Sequence, residues 1–109
     1  GNAVMAFGVM GGDMQPQGHL QMVVRVIDFR QNPQAAADAP RWKITGDGRL
    51  LVEHNLPAAT ARNLERRGHR VVHAPADSTE FGAAQLIYRM DHAYLAASES
   101  RRDGQAVGF

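Results

Sequence analysis

The residues best suited to chemistry are a glycine pair between an apolar run and a helical pattern. Residues 4–10 are almost entirely apolar, Gly11 and Gly12 follow them, and Asp13 precedes the helical pattern. Backbone N–H groups at a glycine turn and a helix N-terminus point outward, and the helix dipole adds partial positive charge there. Such a corner can hold a carboxylate, a phosphate or a developing oxyanion. More often such a pair is only a tight turn, and the residues alone leave both interpretations open.

The other candidate groups indicate structure rather than chemistry. No Lys-Ser/Thr follows the glycines, which excludes a P-loop, and the third glycine of a dinucleotide fingerprint is missing. Asp77, Ser78 and Thr79 lack a nucleophile-elbow motif, so we predict a polar loop there. The cluster Arg101-Arg102-Asp103 is predicted to form structural ion pairs, with an exposed tail as the alternative.

The five histidines do not predict a metal site. His69 and His73 flank a predicted strand, in which positions four apart are separated by about 13 Å, too far for one ion. His19, His54 and His92 show no metal-motif spacing to another histidine. We therefore predict surface or hydrogen-bonded histidines, no metal site and no cofactor.

The two elements that position the glycine pair are unusually apolar. The run at residues 4–10 predicts a strand buried on both faces. Residues 18–29 predict a mostly buried helix with a narrow polar stripe, for which Asp13 is the expected N-cap. The predicted core face of this helix comprises Leu20, Val23, Val24 and Ile27. Its predicted polar stripe comprises Gln21, Arg25 and Asp28.

The remaining pattern predicts an α+β fold, with helices packed on a sheet. Its elements are a short helix at residues 34–38 after Asn32-Pro33, a hairpin around Gly46-Asp47-Gly48, a helix at 57–67, a strand at 71–74 and strands at 81–90 and 93–97. The 109 residues suit one small domain of ordinary globular composition, with 44% hydrophobic and 21% charged residues.

Charge, cysteine content and apolar runs exclude several classes of protein. A net charge of +1 gives no nucleic-acid footprint, and the lack of cysteine excludes disulfides and a cysteine nucleophile. No apolar run approaches the ~20 residues of a membrane span. Localisation stays open between the cytoplasm and the periplasm. Gly1-Asn2-Ala3 is interpreted as the remnant of an expression tag.

A series of motifs extends from near the start of the chain to its end. It comprises residues 11–21 (GGDMQPQGHLQ), 27–29 (IDF), 32–34 (NPQ), 36–41 (AADAPR), 64, 68–69 (GH), 81–85 (FGAAQ) and 101–106 (RRDGQA). In combination these motifs resemble the gamma-glutamyltransferase (gamma-glutamyltranspeptidase) family. The resemblance identifies residues 4–109 as the C-terminal part of that family's small subunit.

The resemblance implies a partial N-terminal-nucleophile hydrolase αββα sandwich. In this family a precursor cuts itself into a large and a small subunit. The new N-terminal threonine of the small subunit, with its own α-amine as base, attacks γ-glutamyl amides such as glutathione. The acyl group then passes to water or an amino acid. The family's oxyanion glycines match Gly11 and Gly12, whereas the threonine and the residues that grip the glutamyl group would lie upstream.

The expected partners are therefore the large subunit and the rest of the small subunit, and we expect no turnover from the isolated chain. Val9-Met10 precede the glycines, where many transpeptidases carry a small polar residue and proline. A related amidohydrolase acting on cephalosporin side chains or on oxamate is thus one alternative, and a stand-alone, non-catalytic binding module is another. Without upstream partners the apolar first strand should be exposed, so we expect the isolated chain to dimerise.

Overall fold

The computed structural model describes residues 1–108, and its mixture of helices and strands confirms the α+β class. In chain order the elements are β1 (Met5–Met10), α1 (Met14–Val23), a π-helical segment (Val24–Asp28), α2 (Pro33–Asp38), β2 (Trp42–Ile44), β3 (Leu50–Val52), α3 (Ala58–Arg66), β4 (Val71–His73), β5 (Ala83–Arg89) and β6 (Tyr94–Ala97). The chain forms two compact units instead of the single domain that we expected. Unit 1 combines Gly1–Ala39 with the residues from Gly82 onward, and unit 2 is Pro40–Phe81.

Unit 1 contains an antiparallel sheet in the order β1-β5-β6, and helices cover only one face of it. The core comprises Val9, Met22, Val26, Ala36, Ala37, Ala84, Leu86 and Ala97. Alternate side chains point to the other face, where Met10, Ile87 and Tyr94 are 55%, 50% and 74% exposed. The prediction that the first strand is buried on both faces is therefore wrong for this chain, because the helices of unit 1 pack on one face alone.

The helix after the glycine pair is present, but its predicted orientation is wrong. Leu20 and Ile27, predicted as core, are 54% and 44% exposed, whereas Gln21, predicted as polar stripe, is 5% exposed. The buried residues are Met14, Gly18, Gln21 and Met22 of α1 and Val26 of the π-helical segment. A Cβ at Gly18 would lie 2.6 Å from Val9 Cγ1, so Gly18 lets this side of the helix approach β1 closely.

Side-chain capping explains where α2 begins, but not where α1 begins. Asp13 occupies the N-cap position of α1, as predicted, but its side chain makes no capping hydrogen bond. Asn32 does cap α2, because its side-chain oxygen accepts hydrogen bonds from the N–H groups of Gln34 and Ala35, and Pro33 stands at the first helical position. The predicted short helix is thus confirmed. No helix among residues 1–108 is long and apolar enough to cross a lipid bilayer.

Unit 2 confirms the predicted hairpin and third helix. β2 and β3 are antiparallel, while β3 and β4 are parallel and are joined through α3. Arg41 is buried in this unit: its N–H donates to Glu53 Oε2 at 2.7 Å, and its Nη1 donates to the Phe81 carbonyl at 3.0 Å. In the hairpin loop, a hydrogen bond from the Thr45 hydroxyl lowers the pKa of Asp47 from its ordinary value.

Candidate functional site

The chain turns from β1 into α1 through Gly11 and Gly12, whose φ angles are +134° and +58°. Residues with side chains rarely adopt such angles, so the backbone conformation itself requires glycine here. The carbonyl oxygen of Gly11 accepts a hydrogen bond from Met14 N–H at 3.1 Å, and that of Gly12 accepts one from Gln15 N–H at 2.9 Å. The two carbonyl groups thus accept hydrogen bonds from the first N–H groups of α1.

The amide N–H groups of Gly11 and Gly12 take part in no hydrogen bond within residues 1–108. Gly12 is exposed and Gly11 is half-buried. Fixed backbone donors at a helix N-terminus are the groups that stabilise a developing oxyanion. The geometry is compatible with the predicted oxyanion role of the pair, which stays a prediction.

A third glycine, Gly82, supports this corner from the neighbouring segment of unit 1. Its φ is +69°, and a Cβ built on it would lie 2.0 Å from the Met10 carbonyl oxygen. A Cβ on Gly11 would lie 3.0 Å from the Gly82 Cα. The two backbones therefore touch where only glycine fits. An isolated glycine at the start of a strand pattern signals close backbone approach, and this signal could have identified Gly82 as a support of the site.

Glu99 and Arg101 anchor the segment that follows Gly82. The Glu99 side chain is fully buried, and its Oε2 accepts a hydrogen bond from Ala84 N–H at 2.6 Å. Its Oε1 accepts from Arg101 N–H at 3.0 Å and pairs with Arg101 Nη1 at 2.7 Å. Arg101 also donates to the carbonyl oxygens of Ala37 and Ala39, at 2.8 and 3.0 Å. Arg101 is thus structural, as predicted, but its ion-pair partner is Glu99, which lies outside the predicted Arg101-Arg102-Asp103 cluster, and both Arg102 and Asp103 are exposed. The Arg101–Glu99 pair ties the start of β5 to the end of α2.

A groove of about 540 Å³ begins beside the glycine corner, and it lies entirely within unit 1. It is lined by Gly8, Val9, Met10, Gln15, His19, Ala83, Gln85 and Arg102. The His19 ring meets Phe7 edge-on, with ring centroids 5.4 Å apart, which gives this histidine a packing role. The groove therefore combines the exposed, apolar Met10 with amide side chains and one exposed cation.

The other sequence candidates are not brought to this corner. His54, His73 and His92 are exposed, and His69 lines a small hollow of unit 2. Ser78 Oγ accepts a hydrogen bond from Glu80 N–H at 3.4 Å, within the loop predicted for Asp77-Ser78-Thr79. Across residues 1–108 no three His, Asp or Glu side chains lie close enough together to hold a metal ion.

Comparison with known proteins gives relatives that span the whole chain. The chain is 34% identical over 110 residues to the acylase ACY 1 proenzyme of Pseudomonas sp. (strain SE83), and 30% identical over 115 residues to the glutathione hydrolase-like YwrD proenzyme of Bacillus subtilis (strain 168). Both comparisons cover 100% of this chain but only 19% and 22% of the relatives. The chain thus spans about a fifth of the length of the curated relatives it matches.

A solved structure of a related enzyme shares the fold of this chain. The cephalosporin acylase from Bacillus halodurans superposes with a TM-score of 0.83 and 48% identity, over 91% of this chain and 19% of that chain. The fold is therefore part of the N-terminal-nucleophile hydrolase sandwich, as expected. Residues 1–109 also match the sequence family described as gamma-glutamyltranspeptidase. These matches show that the chain belongs to the gamma-glutamyltranspeptidase family.

Proposed function

We propose that this chain is the C-terminal part of the small subunit of an amide-cleaving enzyme, in which Gly11 and Gly12 donate hydrogen bonds to the oxyanion. The observation that carries the proposal is the glycine corner, whose two amide N–H groups have no partner within residues 1–108. The family and the proenzyme relatives support a self-processed enzyme with two subunits. The large subunit and the rest of the small subunit are then the partners of this chain.

The proposed donor is a γ-glutamyl amide such as glutathione. A threonine at the start of the small subunit attacks the amide carbonyl, and its α-amine takes the hydroxyl proton. Negative charge then develops on the carbonyl oxygen, where the N–H groups of Gly11 and Gly12 stabilise it. The tetrahedral intermediate expels the amine as it takes up the proton, which leaves an acyl-enzyme. Water or an amino acid then accepts the acyl group.

Met10 favours a second candidate substrate, the amide side chain of a cephalosporin. Its apolar side chain is 55% exposed directly before the glycine pair, and it lines the groove beside the corner. The 48% identity to a cephalosporin acylase supports the same alternative. A panel of a γ-glutamyl anilide, a cephalosporin and oxamate, offered to the full-length enzyme, separates the candidates. The proposed donor is wrong if turnover is confined to either of the other two substrates.

Substitution of Gly12 by alanine tests the oxyanion assignment. No atom of the chain lies within 4 Å of a Cβ at this position, so the methyl group enters the space that a ligand would occupy. We expect kcat of the full-length enzyme to fall about 100-fold, as it does when an oxyanion donor is disturbed, with a smaller change in KM. The matched control is Gly48→Ala in unit 2, where φ is also positive, at +79°, and which also has open space around its Cβ. Equal activity of both variants would reject the assignment.

The isolated chain is expected to show no hydrolysis of a γ-glutamyl anilide, because the proposed nucleophile lies upstream. The measurement is anilide release by the purified 109-residue chain over several hours, beside the full-length enzyme as positive control. Turnover by the pure chain, lost on Gly12→Ala, would overturn the proposed position of the nucleophile.

The isolated chain is also expected to self-associate through the uncovered face of the unit 1 sheet. Ile87 on that face is 50% exposed, and exposed apolar patches of this kind tend to be covered by a partner. Ile87→Lys should shift the sedimentation profile of the chain towards the monomer. Ile44→Lys, at a residue of unit 2 that is 52% exposed, is the matched control and should leave the profile unchanged. A wild-type chain that stays monomeric at high concentration would contradict this prediction.

A further inference from the structure

We infer that Arg102 binds a carboxylate on the amine part of the substrate, which is the part that leaves when the acyl-enzyme forms. Arg102 lines the groove that begins beside the Gly11-Gly12 corner. Among the lining residues within 1–108 it is the only arginine or lysine, and none is an aspartate or glutamate. The inference rests on the proposed function, because it takes the glycine corner to be the place where the scissile amide binds.

The chain holds Arg102 beside the groove from both sides. Arg101, directly before it, pairs through its Nη1 with the buried Glu99 at 2.7 Å. Two residues after it, a Cβ on Gly104 would lie 3.9 Å from Gln85 Nε2, so the chain passes close to the Gln85 side chain. Gln85 also lines the groove. The exposed Arg102 side chain therefore extends from a fixed segment of backbone, next to an amide group that can assist it.

The Arg102 guanidinium has N–H groups left for a ligand. Its hydrogen bond within residues 1–108 joins Nη1 to the Arg101 carbonyl oxygen at 3.2 Å. A guanidinium has five N–H donors, stays charged at any pH at which the protein is folded, and matches the two oxygens of a carboxylate with its planar fork. No carboxylate among the groove-lining residues of the described chain competes for this charge. An anionic, bidentate group such as a carboxylate is therefore the ligand that this side chain fits.

The length of the groove assigns that carboxylate to the amine part of the substrate. Met10 pairs with Ala83 and Gly8 with Gln85, so Gln85 lies two residues, or about 7 Å, along β5 from the strand end at the glycine corner. Cysteinylglycine, the amine that leaves from glutathione, places its carboxylate two residues, or about 7 Å, from the scissile nitrogen.

The two candidate substrates share this feature. The nucleus that leaves from a cephalosporin also carries a carboxylate, whereas the acyl parts of glutathione and of a cephalosporin differ. The residues expected to grip the glutamyl group lie upstream of this chain, which leaves the groove beside Arg102 for the amine part.

Calorimetric titration of the full-length enzyme with cysteinylglycine and with its C-terminal amide, under reducing conditions, tests the inference. The wild-type enzyme should bind the acid about 10-fold more tightly, because the amide cannot form the charge-assisted hydrogen bonds of a carboxylate. Arg102→Met should abolish this preference by weakening the binding of the acid alone, and Arg102→Lys should retain part of it because the charge remains. Arg62→Met, at an exposed arginine of unit 2 that does not line the groove, is the matched control and should bind both ligands as the wild type does.

Three results would overturn the inference. The first is equal affinity of the wild-type enzyme for the acid and the amide, and the second is binding of neither ligand. The third is an Arg102→Met enzyme that loses affinity for both ligands equally, which would give Arg102 a structural role only. The substrate panel, measured on the same samples, separates this inference from the proposed function. Turnover of the γ-glutamyl anilide without a preference for the acid rejects only the inference, and the preference without amide turnover rejects only the function.

Discussion

Replacement of Gly82 by alanine is expected to destabilise unit 1 by about 3–5 kcal/mol, a large part of the stability of a small domain. The new Cβ would lie 2.0 Å from the Met10 carbonyl oxygen, so the backbone of β1 or β5 must move. The positive φ of +69° adds strain that glycine does not have. Since Gly11 rests against Gly82, the same movement should also displace the candidate oxyanion donors.

The measurement is the unfolding of the isolated chain in urea, with hydrogen exchange of the β5 amides as the signal that reports on unit 1. The single tryptophan, Trp42, belongs to unit 2, so its fluorescence does not follow unit 1. Gly48→Ala is again the matched control, because it shares the positive φ but has open space around its Cβ, and it should lower the free energy of unfolding only by the backbone strain of about 1–2 kcal/mol. A Gly82→Ala chain with wild-type stability would show that the close contact between Gly82 and Met10 is absent.

Removal of the Arg101 guanidinium is the second change with a large expected effect. Arg101→Met leaves the fully buried Glu99 carboxylate without its cation, and it removes donors from the carbonyl oxygens of Ala37 and Ala39. Breaking a buried ion pair on one side costs about 3–5 kcal/mol, because a charge stays buried without compensation. We expect a loss of that size in the free energy of unfolding of unit 1.

Two further variants separate the ion pair from a general effect of mutation. Arg102→Met changes an exposed neighbour of the same type and should cost less than about 0.5 kcal/mol. Adding Glu99→Gln to Arg101→Met should recover part of the loss, since the uncompensated charge is then gone. If Arg101→Met is no more damaging than Arg102→Met, the anchoring role of the pair is wrong.

The sequence located the elements better than it located their contacts. The strand, the glycine pair and the helix after it follow from the apolar run and from glycine's backbone freedom, both of which are local properties. The buried side of the helix does not, because Leu20 and Ile27 are as apolar as Met22 and Val26. Which side of the helix is buried depends on Gly18, because the absence of a side chain there lets Val9 of β1 pack against the helix. This contact joins two elements, so helical periodicity alone carries no information about it.

The supports of the candidate site were hidden for a similar reason. Glu99 is one acidic residue near an exposed tail, and only the folded chain shows that it accepts a hydrogen bond from Ala84 N–H, 15 positions earlier. A residue outside the site, in unit 2, was hidden in the same way: Arg41 appears in the sequence as a cation after a proline, yet it is buried against Glu53 and Phe81. Buried charges depend on partners that are distant in the chain, and a single sequence does not reveal them.

The mass and N-terminal sequence of the native protein test our proposal that this chain belongs to the small subunit of a self-processed enzyme. The protein would be captured from its source with an antibody against this chain. We expect a longer subunit that begins with threonine and is bound to a second, larger chain. A native chain that starts near Ala3 and has no partner would reject the proposal, and would indicate a binding or structural module that retains the family fold.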